Sequence, residues 1–230
     1  ADTGNKNFLG AIAIDIDCRH RAALIERRQL QRDFALAIER GDDSNATLVS
    51  LFMAQLAVND PAAYRATEVS LLDEARLRGI GTWMRDRIMR ALAIRIYTGG
   101  ECGDTLAFIQ AHGGNRPVYG EADKFCSGDI ETARGNLERH LRKHNHKKPV
   151  SEALMLSMIM QQSGDLKAAR RWFAQAKRWR SELTPRQVLR SDTHLSTNIG
   201  FQPTLRATPF LELAALERAA RKLLASESSE

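Results

Sequence analysis

Gly128-Asp129-Ile130-Glu131-Thr132-Ala133-Arg134 returns 36 residues later as Gly164-Asp165-Leu166-Lys167-Ala168-Ala169-Arg170. In each copy Gly-Asp stands where a turn meets a helix N-terminus, since glycine ends helices and aspartate caps the next one. A small residue follows (Ala133, Ala169), and four positions on comes a large apolar one (Leu137, Phe173). A near-copy at a fixed offset points to stacked helical units, each burying its apolar face against its neighbour.

The rest of the chain reads as helix too. Of 230 residues only 6 are Pro and 15 Gly, and aromatics are 6%, which is sparse for a sandwich or barrel. Apolar residues at helical spacing predict helices over 22–40, 44–58, 61–78, 82–97, 104–111, 129–144, 150–162, 165–180 and 208–224. A single turn is expected near Glu121 to Phe125, and a short helix from Thr184-Pro185 to about Arg190. Phe8 to Cys18 alternates Ile12, Ile14 and Ile16 with small or acidic residues, as a strand, an extended arm or the front of a helix would. Residues 191–207 read as a long loop. The expected organisation is an N-terminal helical region over 1–112, with an extended or disordered arm at 1–18, and a repeat-containing region over 113–230, packed as one continuous domain.

Charge is uneven. The net charge is +6, yet residues 134–180 hold 12 Lys/Arg against 3 Asp/Glu, so the remainder is net acidic. Arg139, Arg142, Lys143, Arg170, Arg171, Lys177 and Arg178 form the candidate basic face. It would attract an acidic partner or a polyanion, or be a solvated face alone. No apolar run is long enough to span a membrane.

Three cysteines, Cys18, Cys102 and Cys126, are too few and odd for a disulfide framework, but Cys102 and Cys126 flank one stretch and are a candidate pair in an oxidising compartment, the alternative being that all three are small buried hydrophobes. The chain opens on Ala1 with a polar Ala-Asp-Thr-Gly-Asn-Lys-Asn, as a processed exported chain or a trimmed one would. The expected location is periplasmic or secreted, in a bacterium, with the cytoplasm as the alternative.

From Val150 to Ser181 the chain resembles the tetratricopeptide repeat: Leu156-Ser157 at the large-small pair, Met160 at the usual aromatic position, Gly164 at the turn, then Ala169, Phe173 and Ala176. Ala169, Trp172-Phe173 and Ala176 also resemble the Sel1-like repeats, whose period is longer. The preceding unit matches at Gly128, Ala133 and Leu137, with His140 where a small residue belongs. The resemblance covers about a quarter of the chain. It implies an all-α right-handed superhelix of antiparallel helix pairs, the alternative being an irregular α-helical bundle. It also implies a non-enzymatic adaptor that binds a protein or peptide in a multi-protein assembly or secretion system. Its groove would be lined by Ser151, Leu154, Met158, Gln161 and Gln162. Nucleic-acid or polyanion binding through the 134–180 face is the second reading, and an all-α periplasmic enzyme the third.

Motifs of chemistry are thin. His140 and His144 share a helix face, but Lys143, Lys147 and Lys148 would repel a cation, so no metal is expected. His112-Gly113-Gly114 lacks the nucleophile motif that an oxyanion loop would serve, and reads as a helix end. Cys18 with His20 is a weak thiol pair. Glu68, Glu74, Glu121 and Asp123 are the remaining acids, with no local pattern selecting one. No cofactor or catalytic residue is expected. Trp172 and Trp179, seven apart, read as core or as an exposed aromatic surface beside Arg171, Lys177 and Arg178.

Overall fold

The computed structural model describes residues 24–99, 101–113, 117–144, 148–183 and 208–226. Among them there are helices and no strand: α1 (Leu24–Glu39), α2 (Asn45–Val58), α3 (Pro61–Leu71), a 3-10 turn (Glu74–Leu77), α4 (Thr82–Gly99), α5 (Gly103–His112), α6 (Pro117–Ser127), α7 (Ile130–His144), α8 (Val150–Gln162), α9 (Leu166–Glu182) and α10 (Thr208–Ser226). No described helix is long and apolar enough to cross a membrane. The strand-like Phe8 to Cys18, the helix at 184–190 and the loop at 191–207 lie outside the described residues, as do Cys18 and His20.

Two compact units are distinguished: Ala1–Ile88 with Thr184–Glu212, and Met89–Leu183 with Leu213–Glu230. The division falls inside α4 and inside α10.

In the first unit α1 packs on α2, and α2 on α3. α2 is apolar nearly all round, and Ala46 to Ala57 are all buried, as expected of a helix with no polar face. Phe34 of α1 and Phe52 of α2 are enclosed, and the Phe52 and Tyr64 rings meet edge to face at 6.4 Å. Caps set the boundaries. Ser44 accepts from the Thr47 amide, and Asp60 accepts from Ala63 with Pro61 at the first helical position. The helix expected over 61–78 is interrupted: α3 ends at Leu71, and Asp73 caps a separate 3-10 turn by accepting from Ala75. Val69 is largely exposed at 72%.

In the second unit α5 packs on α6, α6 on α7, α7 on α8 and α8 on α9, each helix against the next in sequence. Short turns leave successive helices little choice but to pair in this way. The two Gly-Asp joints have the same build. Gly128 (φ +77°) and Gly164 (φ +79°) take the left-handed backbone, while Asp129 and Asp165 accept from Thr132 and Ala168 at the start of α7 and α9. Ala133 and Ala169 are fully buried, the close-approach positions that the sequence pattern marks. Leu137 is enclosed as well, whereas Phe173 is only half-buried.

Residues 117–127 are helical where the sequence predicts irregular chain with one turn. Proline is tolerated at a helix start, so Pro117 opens α6 rather than breaking it. On α4, Arg87 and Arg95 are buried. Arg95 reaches the carboxylate of Glu101 at 2.9 Å and its carbonyl at 2.6 Å.

Candidate functional site

α9 carries the most one-sided surface in the second unit. Lys167, Arg170, Arg171, Ala174, Lys177 and Arg178 recur at helical spacing and are all exposed, while Ala169, Ala176 and Trp179 point inward and are buried. Arg178 is tied to Glu182 at 3.1 Å, and Lys148 holds the same carboxylate at 2.9 Å, which keeps Glu182 ionised below the usual carboxylate range. Lys167, Arg170, Arg171 and Lys177 face no carboxylate among the described residues. Arg171 lies over the Trp172 ring at 5.7 Å and Lys177 over the Phe173 ring at 6.0 Å.

Of the basic residues of α7, Arg134 and Arg142 are paired, whereas Arg139 and Lys143 form no ion pair among the described residues. Arg142 pairs with Glu138, Arg134 sits between Glu131 and Glu138, and Arg139 donates to the Asn136 side chain at 3.1 Å. Thus Arg139, Arg142, Lys143, Arg170, Arg171, Lys177 and Arg178 are all exposed, but uncompensated charge concentrates on α9.

The expected groove is not an open surface. Ser151, Leu154 and Met158 are buried, Gln161 is half-buried and only Gln162 is exposed. The reason lies in the sequence of α8: Val150 to Met160 is apolar on every side apart from Ser151, Glu152 and Ser157, and such a helix is enclosed rather than two-faced. Trp179 is buried and Trp172 half-buried, its Nε1 enclosed with no hydrogen-bond partner among the described residues.

A second cluster went unselected in the sequence. Glu121 of α6 and Tyr97 of α4 are each 3% exposed, and Glu121 Oε2 and the Tyr97 hydroxyl have no hydrogen-bond partner among the described residues. Burial pushes the Glu121 carboxyl up to about 7, against the pull of the Asn136 hydrogen bond and of Lys124 and Arg139. Burial raises Tyr97 well above its ordinary range, and the nearby Glu121 adds to this. The Tyr97 ring lies 4.9 Å from that of Phe125. Cys126, next in sequence to Phe125, forms a disulfide with Cys102 just before α5. A catalytic acid must be reachable by substrate, and this one is enclosed. No local signal could have found it, because tertiary burial alone distinguishes Glu121 from exposed Glu74 or from Asp123, which accepts from Gln110.

The His140 and His144 rings lie 4.5 Å apart, tilted at 44°, and no group of three metal-ligating side chains occurs among the described residues. His112 packs on Phe108, and the Gly113 amide closes α5 by donating to Ile109. Compared with known protein families, with characterised proteins and with solved structures, the chain matches none.

Proposed function

We propose that the chain is a non-enzymatic helical-repeat scaffold, tetratricopeptide-like or Sel1-like in its C-terminal hairpins, that holds another protein within a larger assembly. The observation that carries this reading is the duplicated joint: two Gly-Asp turns with the same backbone, each followed by a buried alanine, in a series of helices packed each on the next. Units of that kind present extended surfaces, and their common use is the capture of other chains. The Cys102–Cys126 disulfide supports an oxidising, exported setting, and the exposed cations of α9 favour an acidic partner.

Purification of the full chain after mild cross-linking in its native cells, with and without nuclease, tests the proposal. A protein retained in fixed proportion after nuclease treatment is the expected result. Retention of nucleic acid alone would contradict it.

A further inference from the structure

We infer that the exposed strip Lys167, Arg170, Arg171 and Lys177 of α9 is the docking line, and that its occupant is an acidic amphipathic helix of a partner protein. The inference rests on the scaffold reading and names the partner's chemistry.

Position comes first. The four residues occupy one face over eleven positions, about 15 Å of helix axis. None has a carboxylate partner among the described residues, while the neighbouring cations Arg134, Arg142, Arg178 and Lys148 are neutralised within the chain. A line of uncompensated charge is complementary to carboxylates spaced at one helical turn, the spacing of Glu or Asp at i, i+3, i+4 and i+7 on another helix.

Order comes next. Long cationic side chains lose rotamer freedom on binding, which weakens most surface ion pairs. Here Arg171 and Lys177 already rest on the Trp172 and Phe173 rings, so part of that entropy is lost before the partner arrives. Ala174 stands exposed between the two pairs and leaves room for the partner's backbone to approach.

The same contacts argue against a single-stranded nucleic acid. Such ligands stack their bases on open aromatic faces. On α9, Trp179 is buried, and Trp172 and Phe173 are half-buried beneath cations.

The test is fluorescence anisotropy with the full chain and three probes: a synthetic acidic helix with Glu at the stated spacing, the same peptide with Gln for Glu, and an oligothymidylate of equal charge. The acidic peptide should bind best, weaken as salt rises, and lose about tenfold or more in affinity on K167E/R170E/R171E/K177E. The Gln set K167Q/R170Q/R171Q/K177Q should fall between, and helical circular dichroism should stay unchanged in both variants. Tighter binding of the oligothymidylate, or binding of no probe, would overturn the inference. Acidic-peptide binding that survives charge reversal would overturn the α9 assignment alone. So would capture of the native partner by the reversed variant, which would leave the scaffold reading standing.

Discussion

Ser157 Oγ on α8 donates a 2.8 Å hydrogen bond to the carbonyl oxygen of Ala169 on α9, and both residues are buried. The small residues that mark the hairpin in sequence therefore do two things: they let the helices approach, and one of them ties the pair together. Ser157→Ala should cost about 1 kcal/mol, the worth of one buried hydrogen bond. Ser157→Leu should cost more, about 1–3 kcal/mol, because it overfills a close contact. Urea unfolding of the two variants checks the order. A Leu variant as stable as the Ala variant would mean that the interface has slack.

The joints are tested by backbone alone. No atom lies within 4 Å of where a Cβ would stand at Gly128 or Gly164, so substitution there meets no clash, only a left-handed backbone. Gly164→Ala and Gly128→Ala should each lose about 1–2 kcal/mol. Asn, which tolerates that region, should lose less.

The helices themselves were largely legible in the sequence. α2 and α8 begin and end within a residue of the positions that their caps and periodicity predict, because Ser44, Asn59 and Gly164 act locally. What failed was tertiary. Position within a repeat puts Met158 and Leu154 in a groove, but the apolar character of α8 on all sides, visible in the same residues, decides for burial. Arg95 is held by Glu101, which follows the end of α4, a pairing that helical periodicity does not mark. Glu121 carries no signal at all, since its neighbours Tyr97 and Asn136 come from other helices.

Glu121 makes stability depend on pH in a direction opposite to that of a salt-bridged acid. Its folded value of about 7 lies above the ordinary 4.5. Below 4.5 the folded and unfolded chains both hold the proton and the difference vanishes. As pH rises from 4.5 to 7 the unfolded chain releases its proton first, so stability falls across that window, by up to about 3 kcal/mol above it. Glu121→Gln removes the titration. Its stability advantage over the wild type should therefore be small at acid pH and grow towards neutrality. An advantage that does not grow with pH would refute the assignment.

The Cys102–Cys126 bond closes a loop that contains α5 and most of α6. Its removal by C102S/C126S should lower stability by about 3 kcal/mol on the chain-entropy account, with far-ultraviolet circular dichroism retained. Mass measurement of the alkylated protein before and after reduction should show two thiols released together.

The central claim, a protein partner seated on α9, is tested most directly by a photo-crosslinking amino acid placed at position 174 in cells. Ala174 is exposed in the middle of the basic strip, so the probe stands where the partner must lie. The account predicts one protein adduct, insensitive to nuclease, whose formation in lysate is suppressed when the acidic helix peptide is added before irradiation. A nucleic-acid adduct, or a protein adduct that forms as readily with the peptide present during irradiation, would contradict it.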